Sequence, residues 1–377
     1  MGERVLITGG AGFVGSHLAD ALAAAGHEVI LFDNLEPQVH GQLAAGGRPA
    51  YLDPAHRLEV GDVRDGSALA RLLPGVDVVF HLAAMVGVGQ SMYEIRRYTD
   101  VNALGMATLL EALIAHRGSV RKLLVASSMS IYGEGAYVCA EHGRVAPRLR
   151  PIEQLRADQW EVRCPRCGAE LRPLATDEDK PLYPTSIYAI TKRDHEEMAL
   201  AFGHAYRLPA VALRFFNIYG SRQALTNPYT GIAAIFCGRM LAGQPPIIYE
   251  DGRQQRDLVH ISDVVRACQL AMASPAADDQ VLNVGTGQPT SVLEVAESLA
   301  DALDWRGGCQ ITGQFRAGDI RHCFADLSRV RQLIGYEPRQ TFRQGVRELV
   351  EWVADQQGVA DRLPYPTGQL VAHGLVH

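Results

Sequence analysis

The chain lacks any apolar run of the ~20 residues that a membrane-spanning helix needs. It lacks a basic run too: 36 Lys and Arg stand against 42 Asp and Glu, for a net charge of −6. That balance disfavours nucleic acid and anionic membrane surfaces as partners. No basic stretch followed by an apolar one opens the chain, so no secretory leader is expected. The seven cysteines are 139, 164, 167, 237, 268, 309 and 323. An odd number without a leader suits a reducing, cytoplasmic setting and not a disulfide framework. Repeats and low-complexity segments are absent, which excludes solenoids and tails. At 377 residues the chain can bury a large core in two or three domains.

What is present begins at Val5-Leu6-Ile7-Thr8-Gly9-Gly10-Ala11-Gly12-Phe13-Val14-Gly15. A β-branched run enters a glycine turn, and a helical pattern over 16–25 follows. Glycines let backbone approach a phosphate, and a helix N-terminus offers free N–H groups and a favourable dipole. Asp33 ends the next apolar run, near the offset at which a carboxylate binds an adenosine ribose. It favours the ribose hydroxyls of NAD and repels the 2′-phosphate of NADP. Further apolar runs at 57–60, 76–81 and 122–128 alternate with helical patterns over 67–73 and 93–117. This is the pattern of an α/β fold, a Rossmann-type doubly wound parallel sheet covered on both faces. An NAD-binding domain over 1–214 and a smaller mixed α/β substrate domain over 215–377 are expected, with elements near 258–285 returning to the first. Helical patterns at 183–206, 230–242, 263–273, 292–303 and 343–356 fill the rest, and the last fifteen or so residues carry little signal.

The alternation breaks between about 134 and 180, too long for a plain loop. There Cys139 and His142 form one half-site and Cys164 and Cys167 another, about twenty residues on, the spacing of a tetrahedral zinc site. Four protein ligands would close such a site, so a structural zinc in a ribbon-like insertion is expected.

Tyr188 and Lys192 lie four residues apart on one helix face. A cation beside a phenol favours the phenolate, so Tyr188 is expected to have a lowered pKa and to act as general base. Ser127 and Ser128 end a preceding strand.

With Thr8 to Gly15, Phe80-His81-Leu82-Ala83-Ala84, Asn102, Ser127 to Gly133, Tyr188-x-x-x-Lys192, Arg214 to Gly220 and Arg256 to His260, the chain resembles the extended short-chain dehydrogenase/reductase family of nucleotide-sugar epimerases and dehydratases. The resemblance implies Tyr188 as base, Lys192 as its tuning partner and Ser128 as the hydroxyl that bonds the reacting sugar oxygen. It implies NAD contacts from Gly9, Gly12, Phe13, Val14, Gly15, Asp33, Asn34, Asp62, Val63, Leu82, Ala83, Ala84, Asn102, Ser127, Tyr188, Lys192 and Phe215. It implies substrate contacts from Val86, Ser91, Ser128, Ser130, Asn217, Tyr249, Arg256 and Arg316, with Asn217 and the two arginines on the diphosphate. A homodimer through helices near 103–117 and 187–206 is implied as well.

Members of the family first oxidise a sugar at C4. Dehydratases then carry an acidic pair after the catalytic Ser or Thr, where this chain has Met129 and Ser130. The resemblance therefore implies a 4-epimerase with tightly bound NAD, which returns the hydride to the other face. Segments 34–41, 89–94, 227–232 and 318–323 resemble members acting on a dTDP-6-deoxyhexose such as dTDP-L-rhamnose. Alternatives are a UDP-hexose, hexosamine or uronate 4-epimerase, a 4,6-dehydratase, and a non-catalytic NAD-binding regulator.

Overall fold

Val5 and Ile7 pack into one apolar core while Leu6 between them enters another. Side chains on a strand point to alternate faces, so such a strand must be covered on both sides. The computed structural model describes residues 2–44, 46–116, 118–225, 227, 231–356 and 367–376. The strands are β1 (Arg4–Thr8), β2 (Glu28–Asp33), β3 (Arg57–Val60), β4 (Val78–His81), β5 (Lys122–Ser128), β6 (Ala136–Cys139), β7 (Gly143–Val145), β8 (Arg172–Leu174), β9 (Ala210–Phe215), β10 (Asn217–Tyr219), β11 (Ile247–Ile248), β12 (Gln255–Arg256), β13 (Leu258–His260) and β14 (Val281–Val284). Seven of them form one sheet in the order β14-β9-β5-β4-β1-β2-β3. Every pairing in it is parallel. The order reverses between β1 and β4, and a crevice opens beyond the carboxyl ends of strands at such a point. Thr8 and His81 are paired at that edge, so the glycine turn and Leu82-Ala83 flank the crevice.

A third core gathers Tyr219, Phe236, Leu258, Val295 and Leu349 under helices Ile232–Leu241, Val292–Leu303 and Phe342–Asp355. Strand β10 pairs with β13 there, whereas β14 joins the large sheet. Segment 134–180 is more regular than its sequence suggests: β6 runs antiparallel to both β7 and β8. No described helix is long and apolar enough to cross a membrane.

Three helix boundaries depart from expectation. The first helix spans Phe13–Ala24, because Gly12 is its extended N-cap and the chain turns helical at the next residue. The pattern at 93–117 divides into Ile95–Tyr98, a wide π turn Thr99–Leu104 and Gly105–His116. The Asn102 side chain widens that turn: it accepts from Met85 N (2.8 Å) and donates to Met85 O (3.1 Å) and Thr191 Oγ1 (2.9 Å). The expected helix from Tyr183 begins only at Ile187, because the Ser186 hydroxyl accepts from Ala189 N and caps it there. Near the C-terminus, where little was legible, Leu370 is buried on a short helix, Thr367–Ala372.

Candidate active site

The glycine turn is shaped by close backbone approach. Gly9 has φ +68°, and a Cβ there would lie 2.7 Å from Ala83 N. A Cβ on Gly15 would lie 2.3 Å from Gly9 O, so backbone would have to move. Gly12 caps helix Phe13–Ala24 in an extended conformation, leaving the first-turn N–H groups toward the crevice. Asp33 is buried and accepts from Ala11 N (3.0 Å) and Leu35 N (2.9 Å). This cradle, too tight for a Cβ at Gly9 or Gly15 and followed by a carboxylate, fits a dinucleotide. Gly15→Ala is therefore expected to lower the NAD that co-purifies by about tenfold or more, measured by absorbance after acid release. Full occupancy in that variant would refute the cradle.

The chemistry-bearing groups meet where β5 faces helix Ile187–Tyr206. Tyr188 lies beside the Ser128 hydroxyl, whose oxygen accepts from Ser130 Oγ at 2.9 Å. Lys192 Nζ donates to Ala126 O at 3.0 Å. The expected acidification of Tyr188 is not found in the ligand-free site. Burial pushes the phenol up to about 12, against a smaller opposing effect of Ser128, and burial pushes the Lys192 ammonium down to about 7. Desolvation penalises both charged forms, and no opposite charge in the ligand-free site offsets it. Behind them, Ser127 Oγ donates to Glu196 Oε2 (2.8 Å), and Glu196 takes Arg214 Nε (2.9 Å) and Nη2 (2.5 Å).

One cavity of about 460 Å³ joins these parts. Its wall includes Gly9, Gly12, Phe13, Val14, Gly15, Asp33, Asn34, Val63, Leu82, Ala83, Ala84, Ser127, Tyr188, Lys192 and Phe215 of the expected cofactor residues. Asp62 and Asn102 do not line it. Asp62 is paired with Arg64 (2.8 and 2.7 Å), which holds its carboxyl down at about 2, and Asn102 is the fully buried brace described above. Of the expected substrate residues, Val86, Ser128, Ser130 and Asn217 line it, and Asn217 Oδ1 is buried without a hydrogen-bond partner among the described residues.

The other four stand outside. Ser91 is fully buried and donates to Val88 O at 2.7 Å. Tyr249 is buried beneath Arg316, whose guanidinium carbon is 4.7 Å from the ring centre. Arg256 Nη2 donates to Asp319 Oδ1 at 3.0 Å, and Arg316 Nε is 3.7 Å from Asp319 Oδ2. Pro228, Tyr229 and Thr230 of the 227–232 segment lie outside the described residues. Gln38 and His40, from the 34–41 segment singled out by resemblance, line the wall without having been assigned a role, and Met85 and Val88 were missed from sequence. The only signal for Met85 and Val88 is position, just after β4.

Apart from the cavity, Cys139, His142, Cys164 and Cys167 bring their ligand atoms within 4.8 Å of one another. Cys139 Sγ is 3.5 Å from His142 Nδ1 and 3.7 Å from Cys167 Sγ, and Cys164 Sγ is 3.7 Å from His142 Nδ1. A tetrahedron with Zn–S about 2.3 Å and Zn–N about 2.0 Å has edges of about 3.5–3.8 Å, so the donor set fits zinc.

The sequence model of the NAD dependent epimerase/dehydratase family matches residues 5–152 and 167–285. A dTDP-L-rhamnose 4-epimerase of Burkholderia thailandensis is 37% identical over 359 residues, 94% of this chain and 96% of that one. Among solved structures, UDP-glucose 4-epimerase of Thermotoga maritima with UDP-glucose is similar at TM-score 0.75 and 29% identity, covering 93% of this chain and 99% of that one. The Thermus thermophilus UDP-glucose 4-epimerase complex with NAD is similar at TM-score 0.72 and 28% identity, covering 94% and 99%.

Proposed function

The chain belongs to the NAD-dependent epimerase/dehydratase family, and from that premise we propose that it is a nucleotide-sugar 4-epimerase that keeps its NAD through turnover. The carrying observation is what the cavity wall omits. Its only carboxylates among the described residues are Asp33, which ends β2, and Glu36 just after it, both at the dinucleotide end. Beside Tyr188 and Ser128 the wall offers Met129 and Ser130, so no second acid is placed to eliminate water. Reversal is the chemistry left.

Bound NAD supplies a hydride acceptor that later gives the hydride back, and a cationic ring. Gly9, Gly12 and Gly15 would hold its diphosphate, Asp33 its adenosine ribose and Lys192 its nicotinamide ribose. Tyr188 removes the C4 hydroxyl proton, and an added positive charge is what a phenol raised to about 12 requires. Ser128 holds the reacting oxygen by hydrogen bond. The 4-keto sugar then turns, and Tyr188 returns the proton as C4 is reduced on its other face.

The proposed substrate is a dTDP-6-deoxyhexose such as dTDP-L-rhamnose. The relative in Burkholderia thailandensis supports it. So does the wall: Met85, Val86 and Val88 are apolar, and Lys192 is its only Lys or Arg among the described residues. That surface suits a C6 methyl better than a uronate carboxylate. A panel of dTDP-, UDP- and GDP-sugars with products identified by NMR tests the assignment. A product lighter by one water would replace it with a dehydratase, and no turnover of any member would overturn it.

We propose further that Cys139, His142, Cys164 and Cys167 hold one structural zinc per chain. Mass spectrometry of metal-replete native protein should show that stoichiometry, and metal-free protein would refute it. Ile95, Leu104 and Ile190 are exposed apolar side chains around the two helices expected to pair in a homodimer. A dimer is the proposed assembly, and a monomer at micromolar concentration by ultracentrifugation would contradict it.

A further inference from the structure

We propose that the 134–180 insertion is a clamp that positions the loops gripping the nucleotide diphosphate, without touching substrate itself. The proposal rests on the epimerase reading for the role of Arg256 and Arg316. No insertion residue lines the cavity among the described residues. The insertion does reach the two loops that carry Tyr249 and Arg316.

From the insertion, Glu161 accepts from Arg321 Nε (3.0 Å) and Nη2 (2.5 Å) and pairs with His322 Nε2 (3.0 Å). Glu134 accepts from Arg321 N at 2.9 Å. Arg150 donates to both carboxylate oxygens of Glu250 (2.9 and 2.8 Å) and to Asp319 O (3.3 Å). Arg321 is fully buried and also bonds Glu250 (3.0 Å) and Asp251 (2.6 and 2.9 Å). The two loops are therefore tied to each other and to the insertion by one ion cluster centred on the buried Arg321. A buried guanidinium holds its place only while every partner stays in position.

The far end of the cluster reaches the two arginines. Asp319, bonded through its carbonyl by Arg150, presents its carboxylate to Arg256 and Arg316. Arg316 Nε makes no hydrogen bond among the described residues and meets Asp319 Oδ2 only as an ion pair at 3.7 Å, so the guanidinium keeps donor capacity for an anion. The near end reaches the metal cluster. Glu161 precedes Val162 and Cys164, which pack with Tyr137, Cys139, Val145 and Leu171 in the insertion's own small core. That core contains two of the four zinc-fitting residues, so metal, core and Glu161 form one unit. The metal then acts on nucleotide binding at a distance, and Glu161, Arg150 and Arg321 are positioning residues.

The test compares Glu161→Gln and Cys167→Ser with the parent holoenzyme. Both side chains are partly exposed, so folding should survive. KM for the nucleotide sugar and Kd for dTDP or UDP alone should each rise about tenfold, with kcat within about twofold and NAD content unchanged. Hydrogen exchange should quicken at 249–256 and 315–323 but not at 4–24 in both variants. Unchanged exchange at those loops, unchanged diphosphate affinity, or a fall in kcat at constant KM would each overturn the clamp. Absence of turnover in the parent would instead count against the epimerase reading, while dTDP affinity and exchange still judge the clamp.

Discussion

Tyr188→Phe is expected to keep its NAD and to lose epimerisation by about 10³-fold or more, since it removes general-base catalysis and a transition-state hydrogen bond together. The loss is chemical because the ring itself keeps its place. Tyr188 packs with Met85 and Tyr98, edge to face with the latter at 6.5 Å between ring centres, and a phenyl ring fills the same space. No neighbour in the wall can take over, since Asp33, Glu36 and His40 stand at the dinucleotide end after β2. Ser128 and Ser130 are hydroxyls without an adjacent base, and Lys192 is turned onto Ala126 O. Steady-state turnover on the substrate found by the NMR panel, with NAD content measured alongside, checks this. Turnover within about tenfold of the parent would move the base elsewhere.

The second large effect is on stability. Glu196→Ala is expected to cost about 3–5 kcal/mol, because it leaves the Arg214 guanidinium buried without its charge partner. Both side chains are 4% exposed, and the pair binds helix Ile187–Tyr206 to β9, the strand between β14 and β5 in the sheet. Arg214 also donates to Tyr132 Oη at 2.8 Å, and Tyr132 donates to Asn283 Oδ1 at 2.7 Å, so strain spreads toward β14. Ser127 loses its acceptor in the same variant. Urea unfolding followed by circular dichroism measures the change. A loss below about 1 kcal/mol would mean that the pair is solvated in solution. The double variant Glu196→Met with Arg214→Met should recover much of the loss, since removing both charges removes the burial penalty.

What could be read from sequence was local. The glycine turn, Asp33 and the Tyr188–Lys192 spacing follow from chain geometry over a few residues, and the cavity wall gathers them. The strands were legible because Val5-Leu6-Ile7 or Leu123-Leu124-Val125 must bury both faces. What needed the fold was long-range or burial-dependent. Asn102 looks like a cofactor ligand until its amide is seen bonded to Met85 and Thr191. Tyr188 looks acidified by Lys192 until burial is known to raise one and lower the other. Arg321 is an ordinary surface arginine by composition, yet Glu161, Glu134 and Glu250 lie 160, 187 and 71 positions away from it. Only folding brings them together, and that is why the insertion's reach toward Arg316 and Tyr249 could not be anticipated.

The central claim is that a hydride leaves C4 and returns to C4 within one closed site. Substrate deuterated at C4 tests it most directly, with the product isolated from ordinary water and examined by NMR and mass spectrometry. The account predicts an inverted C4 centre that keeps its deuterium and an unchanged molecular mass. Deuterium lost to solvent, or a product lighter by one water, would contradict it.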